Sequence, residues 1–186
     1  MADNLKRVLI LDFDGVIVEL NLPQDYAKAL LPSRFGAFTS RFVATVENYF
    51  RTRLTWPARL VVEFRSVMKA SPAADVKPFL DRFNGRVYLA SMQTGPVLEF
   101  FVHRHGLRKY FVEVLSSDGF KRKADQVRYV MTKEGAAEYL LVDDSEGNVE
   151  SLAKLGVHTI LLKRRRGETL FKVLDLTERF KRESSL

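Results

Sequence analysis

Residues 7–16, Arg7-Val-Leu-Ile-Leu-Asp-Phe-Asp-Gly-Val16, decide the fold. An unbroken apolar run closed by an acid reads as a strand buried on both faces, which is the situation inside a parallel sheet. Working outward, similar runs recur at Arg86–Ser91, Phe111–Leu115, Glu138–Asp143 and Val157–Leu162. Helical patterns lie between them: Val97, Leu98, Phe101, Val102 and His105; then Val127, Val130 and Met131; then Val149, Leu152 and Ala153. Each ends at a glycine, Gly106, Gly135 or Gly156, where a left-handed cap is wanted. Strand, helix, glycine and strand in repetition implies right-handed crossovers and a doubly wound α/β sheet. Such sheets bind ligands beyond the carboxyl ends of their strands.

The alternation is interrupted once, and the interruption divides the chain into an α/β core of residues 1–19 and 76–186 and a helical insert of residues 20–75. Within the insert Phe38, Phe42, Val46, Phe50 and Leu54 recur every four residues. Leu60, Val61, Phe64, Val67 and Met68 mark a second helix, opened by Pro57 and ended near Ser71-Pro72, with Trp56 packed inside the insert. Asp75 is expected to cap a helix over residues 76–83 that leads back into the sheet. The end, Glu183-Ser-Ser-Leu186, offers little to bury.

Composition narrows the chemistry. The 186 residues carry 30 Lys plus Arg against 23 Asp plus Glu, a formal charge of +7, and are 46% hydrophobic, which describes a globular protein able to bury a core. No run approaches the roughly 18 apolar residues of a membrane span, and charges stand where a signal peptide would be apolar, so a cytoplasmic protein without membrane association is expected. The absence of cysteine excludes disulfides, thiolate nucleophiles and Cys-ligated metals, and three histidines make a poor His-rich metal site. Carboxylates, hydroxyls and amines must carry the reaction. Residues 22–86 hold 11 basic and 5 acidic side chains, eight of the basic ones arginine. They read as solvated helix faces or, more sharply, as arginines such as those between Arg34 and Arg65 facing an anionic substrate. Lys163-Arg-Arg-Arg166 reads as a solvated loop after an edge strand rather than a nucleic-acid patch, and His103 and His105 as helix-end residues.

An isolated Asp-x-Asp is a pair of solvated turn residues. Here Asp12 and Asp14 leave the first strand at its carboxyl edge, Ser91 closes the second strand, Lys123 opens the helix after the third, and Asp143-Asp144-Ser145 closes the fourth. All converge on one rim of the expected sheet.

In these four segments, Asp12-Phe-Asp-Gly-Val16, Val87-Tyr-Leu-Ala-Ser91, Lys121-Arg-Lys123 and Val142-Asp-Asp-Ser-Glu-Gly-Asn148, the chain resembles the haloacid-dehalogenase-like hydrolase superfamily. The resemblance covers Val8 to Leu162 apart from the insert. It implies a Rossmann-like core with a small helical cap of the C1 type and a magnesium-dependent phosphohydrolase working through an aspartyl-phosphate. Asp12 would be the nucleophile, since a carboxylate needs no deprotonation at neutral pH. Asp14 would be general acid and then base. Asp12, the backbone carbonyl of Asp14 and Asp144 would hold Mg2+. Ser91 would donate to a phosphoryl oxygen and Lys123 would supply fixed positive charge. Gly15 and the amides after Asp12 would complete an anion cradle.

The chain departs from the family pattern in several places. Ala124 follows Lys123 where proline is frequent, and Lys121 is a nearby rival for its role. Asn148 stands for a second aspartate, while Asp143 replaces a frequent glycine and is a further candidate for the metal or its surroundings. Met92-Gln93 replaces the usual hydroxyl residue and asparagine, which makes Gln93 and Thr94 candidates for substrate contact. A small phosphorylated metabolite is the expected partner. The rival readings are a sugar phosphomutase-like phosphotransferase, a phosphatase of nucleic-acid ends suggested by the pI of about 9.7, and a catalytically silent binding module.

Overall fold

The computed structural model describes residues 6–20 and 56–176. Five parallel strands, β1 (Arg7–Leu11), β2 (Arg86–Ala90), β3 (Phe111–Leu115), β4 (Glu138–Asp143) and β5 (His158–Leu161), are arranged in the order β3-β2-β1-β4-β5. Among the described residues the helices are α1 (Trp56–Lys69), α2 (Val76–Arg82), α3 (Gly95–Arg104), α4 (Lys123–Glu134) and α5 (Glu146–Ala153), and residues 171–176 are also helical.

The strands are apolar throughout because both faces are covered. Leu9, Leu11, Val87, Leu89, Leu140 and Val142 form one core with Val62 and Val67 of α1, Phe79 of α2 and Val97, Leu98, Phe101 and Val102 of α3. Val8, Ile10, Tyr88, Ala90 and Leu141 form the other with Val127 and Val130 of α4 and Leu152 of α5. Neighbouring residues of a strand thus enter opposite cores, as the period of two requires. The winding goes outward from β1 to β3, then returns to the other side of β1 at β4. The strand order therefore reverses between β1 and β4, whose register pairs Leu11 with Val142. A crevice beyond the carboxyl ends of these two strands is where this topology offers a site.

The strands match the sequence reading to within one residue. Gly106, Gly135 and Gly156 all take positive φ, at 66°, 70° and 80°. Gly135 has ψ −137°, outside the left-handed helical basin expected of a cap and in a region open to glycine alone.

Three expectations are corrected. The buried face of α1 is Val62, Glu63, Ser66 and Val67, with Arg59 beside it, while Val61 and Met68 are exposed. Trp56 is 52% exposed and its indole Nε1 donates to Asp118 of the core at 3.2 Å, so the ring is not packed inside the insert. Asp75 makes no side-chain cap to α2. Its carboxylate accepts instead from Arg164 at 2.7 and 2.8 Å and from the Leu170 amide at 2.6 Å. Residues Arg164–Arg166 form a 3-10 turn in which the Arg164 side chain is only 8% exposed. Arg164 also donates twice to the Val16 carbonyl, at 3.1 and 2.6 Å, and so braces the loop after β1, while Arg165 and Arg166 are exposed as a solvated loop requires. The helix expected around Phe38–Leu54, the arginines from Arg34 to Arg53 and the frayed tail lie outside the described residues.

A second polar network closes the far side of the sheet. The buried Glu134 carboxylate accepts from Arg86 Nε at 2.7 Å and from the Tyr88 hydroxyl, and pairs with Lys6. Burial pushes this carboxyl up, but the three donors prevail and hold it at about 2. A carboxyl lowered on folding stabilises the native state above its ordinary value of about 4.5, and that contribution disappears as pH falls towards 2. A lowering of this size corresponds to about 3 kcal/mol. Glu134→Gln should therefore be less stable than wild type near pH 7, with the difference shrinking between about pH 5 and 2. Urea midpoints measured across that range check it, and a constant difference would contradict it.

Candidate active site

The Asp12 loop is placed by its apolar neighbours. Phe13, fully buried, meets Phe101 of α3 edge to face at 4.9 Å, and Val16, Ile17 and Val18 are buried behind it. Phe13 enters the same core as Leu9 and Leu11, which leaves Asp12 facing away from that core. The backbone continues the sheet, with the Asp12 amide donating to the Val142 carbonyl at 2.9 Å, and then folds on itself as Ile17 and Val18 donate to Phe13.

Lys123, the first residue of α4, is buried and reaches between strands. Its Nζ lies 2.5 Å from Asp12 Oδ1, 2.6 Å from the Ala90 carbonyl and 3.4 Å from Asp143 Oδ2. This separates Lys123 from its neighbour Lys121. Burial alone would lower the Lys123 ammonium, but Asp12 and Asp143 outweigh it and raise the value, keeping the group charged.

Carboxylate oxygens of Asp12, Asp143 and Asp144 all lie within 4.8 Å of one another. Burial pushes Asp12 up to about 7, with Lys123 opposing and Asp143 adding to the rise. Burial and Asp143 likewise raise Asp144. Asp143 is the braced member, its carboxylate accepting from the Ser145 amide at 2.9 Å and from Asn148 Nδ2 at 3.1 Å to both oxygens. Asn148 thus holds an acid of the cluster and adds no charge. Lys163 Nζ donates to the Asp144 carbonyl at 2.7 Å.

Gly15 provides space. It has φ +77°, and a Cβ there would fall inside the Asp144 carboxylate. Its amide donates to the Val18 carbonyl at 2.7 Å, so that donor serves the loop here. The Asp14 carboxylate stands outside the three-acid cluster, with Oδ1 accepting from the Leu20 amide at 2.8 Å.

On the β2 side, Ser91 is buried at the strand end and its Oγ accepts from the Gln93 amide at 3.2 Å. Gln93 is buried, and among the described residues its Oε1 has no hydrogen-bond partner. Thr94 is fully buried, and both its amide and hydroxyl donate to Glu63 Oε2, at 2.9 and 2.8 Å. Both donors of Thr94 are thereby used by α1. Glu63, Arg59 and Gln126, whose Nε2 donates to the Ser91 carbonyl at 2.7 Å, were not singled out by sequence reasoning. A signal existed for the first two. Positions 59, 62, 63, 66 and 67 are spaced as one helix face, but that face mixes Arg, Val, Glu, Ser and Val, and the more apolar neighbours drew the reading elsewhere.

No protein-family model and no curated protein sequence matches the chain. Among solved structures it is similar to a hydrolase from Streptococcus pneumoniae TIGR4, at 19% identity and a TM-score of 0.60, with 92% of this chain and 97% of that one covered. It is similar to a haloacid-dehalogenase-superfamily hydrolase, subfamily IA, variant 1, from Geobacter sulfurreducens PCA, at 14% identity and 0.59, covering 86% and 89%. A protein of Haemophilus somnus 129PT described as a predicted phosphoglycolate phosphatase aligns at 14% identity and 0.63, covering 84% of each. With a parallel sheet in the order β3-β2-β1-β4-β5 and a cluster of three carboxylates at its switch point, the chain has the fold of the haloacid-dehalogenase-like hydrolases.

Proposed function

We propose that this protein is a magnesium-dependent phosphohydrolase of the haloacid-dehalogenase-like superfamily that acts on a small phosphorylated metabolite through an aspartyl-phosphate. The observation that carries the reading is the Asp12 carboxylate at the carboxyl end of β1, with Lys123 Nζ at 2.5 Å and Asp143 and Asp144 around it.

The residues fit the metal. The donor set is entirely oxygen, which suits Mg2+, and the missing Cβ of Gly15 lets Asp144 approach the loop that carries Asp12. Asp12, Asp144 and the Asp14 carbonyl would hold it, with Asp143 behind them. When bound, Mg2+ offsets the repulsion between these acids and an incoming phosphate.

Asp12 attacks phosphorus while the bond from phosphorus to the leaving oxygen breaks, and Asp14 delivers a proton to that oxygen. Asp14 then takes a proton from water as the water displaces the phosphoryl group from Asp12. Lys123 keeps its charge beside the nucleophile throughout, and the Ser91 hydroxyl donates to a phosphoryl oxygen. Residues 20–75 act as a C1-type cap on a core of residues 1–19 and 76–186, and the setting is cytoplasmic. Among the described residues no helix is long and apolar enough to cross a membrane. The likeness to a protein described as a phosphoglycolate phosphatase makes small phosphorylated carboxylates the first substrates to assay. Internal use of Lys163 and Arg164 takes two cations of the Lys163–Arg166 run away from contact with nucleic acid.

The experiment is a rapid acid quench of turnover on a 32P-labelled phosphate ester with magnesium. A phosphoryl group trapped on the Asp12 side chain, net retention of configuration at phosphorus from the two displacements, and a fluoroberyllate adduct that requires Asp12 are expected; inversion at phosphorus with nothing trapped on Asp12 would overturn the reading. Asp14 provides a second check. General acid catalysis contributes about 10^2- to 10^4-fold where the leaving group needs a proton. Asp14→Asn should therefore slow alkyl phosphates much more than aryl phosphates, whose leaving groups are already acidic, and 2-haloacids should not react. Equal losses on both ester classes would assign Asp14 to loop geometry.

A further inference from the structure

The loop between β2 and α3 is anchored at every residue by polar contacts, those of Ser91 and Thr94 being buried. The Ser91 carbonyl accepts from Gln126 of α4 at 2.7 Å, and the Gln93 carbonyl accepts from the Ser117 amide and hydroxyl at 2.9 and 3.1 Å. The other two anchors come from α1. Arg59 Nη2 donates to the Met92 carbonyl, and Glu63 Oε2 takes both donors of Thr94. Arg59 and Glu63 are joined one helical turn apart, Nε to Oε1 at 2.7 Å.

Glu63 is only 1% exposed. A buried carboxylate is costly unless it is paired and hydrogen-bonded, and apolar residues could dock a helix on a core without that cost. Both members of the pair extend from their own helix to the same four-residue loop, on either side of Gln93. The Gln93 amide in turn donates to Ser91 Oγ. With that oxygen accepting from Gln93, the Ser91 hydroxyl proton is left to donate elsewhere.

We propose that Arg59 and Glu63 are positioning residues that hold Met92 and Thr94 so that the Gln93 amide orients the Ser91 hydroxyl towards the transferring phosphoryl group. The pair links α1, the described end of the inserted segment, to the phosphate-binding side of the crevice. This rests on the phosphohydrolase reading above.

Two nearly isosteric substitutions test it in the full-length protein. Glu63→Gln removes the charge that Arg59 and Thr94 share, and Thr94→Val removes the hydroxyl while keeping an apolar branch in a buried position. Displacing a reacting group by about 1 Å costs on the order of 10^2-fold. Both variants, confirmed as folded by circular dichroism, should lose about 10- to 100-fold in kcat on a generic aryl phosphate with KM within about threefold, while Thr94→Ser stays near wild type. Hydrogen exchange at the Gln93 and Thr94 amides should rise in Glu63→Gln. A pair that only docks α1 would lower the melting temperature and leave kcat untouched below it, and that result overturns the proposal. So does a loss confined to KM for a larger substrate, which would make Glu63 a substrate contact. Wild-type protein inactive on every phosphate ester would sink the phosphohydrolase reading instead. Unchanged exchange at Gln93 and Thr94 in Glu63→Gln refutes the clamp whether or not the wild type is active.

Discussion

Asp12→Asn is expected to lose turnover of an aryl phosphate by on the order of 10^4-fold or more, the scale on which removing a covalent nucleophile acts, and to remain folded. An amide of the same shape keeps the contacts of the loop: Phe13 still meets Phe101, and the Asp12 backbone amide still pairs with Val142. Lys123 retains the Ala90 carbonyl at 2.6 Å and Asp143 at 3.4 Å, so its buried charge is not abandoned. One carboxylate fewer beside Asp143 and Asp144 relieves repulsion, which offsets the weaker contact to Lys123. The melting temperature should therefore move by only a few degrees while kcat collapses. Activity within about tenfold of wild type would remove Asp12 from the role of nucleophile, because an amide oxygen does not displace an alkoxide from phosphorus. Trace reversion by deamidation is detected by mass spectrometry of the variant.

The fold was legible because its strands are buried on both faces. In Val8-Leu-Ile-Leu11 every side chain is apolar, and Leu9 and Leu11 enter one core while Val8 and Ile10 enter the other. No alternation could have arisen, so the run declared a parallel strand and its acid declared the strand's end. The convergence of Asp12, Ser91, Lys123 and Asp144 followed from topology, since parallel strands place all their carboxyl ends on one rim. Contacts that join segments distant in the chain were not legible. Asp75 in sequence is an ordinary helix cap, and only the packing of β5's following turn against the Asp12 loop makes it the partner of Arg164, 89 residues away. Asp143 and Asn148 were both seen, but their hydrogen bonds to each other depend on the local turn into α5. The polar face of α1 failed for a different reason: hydrophobic periodicity gives little signal for a stripe in which Val62 and Val67 alternate with Arg59, Glu63 and Ser66.

Chelation of divalent cations and Gly15→Ala should impair the protein through the same residue, Asp144. Three carboxylates lie within 4.8 Å, with the Lys123 ammonium among them and Lys163 beside Asp144, which leaves the cluster short of positive charge. A phosphate monoester entering this cluster adds about two further negative charges, and each like-charge pair at 4 Å costs about 4 kcal/mol at an effective dielectric of 20. Lys123 cannot offset that sum, so activity should vanish in chelator and return with magnesium. Gly15→Ala reaches the metal site through steric exclusion alone, without altering any charge. The new methyl would occupy the position of the Asp144 carboxylate, and φ of +77° adds about 1–2 kcal/mol of backbone strain for a residue with a Cβ. The variant is expected to fold with somewhat reduced stability, to need a higher magnesium concentration for half-maximal activity, and to lose about 10^2-fold in kcat. Asp144→Ala should show a loss at least as large, and combining it with Gly15→Ala should add little, because the carboxylate that the methyl displaces is already gone. If Gly15→Ala keeps the wild-type magnesium dependence, Asp144 does not hold the metal; if the two losses multiply, Gly15 acts on the Asp12 loop by a route independent of Asp144.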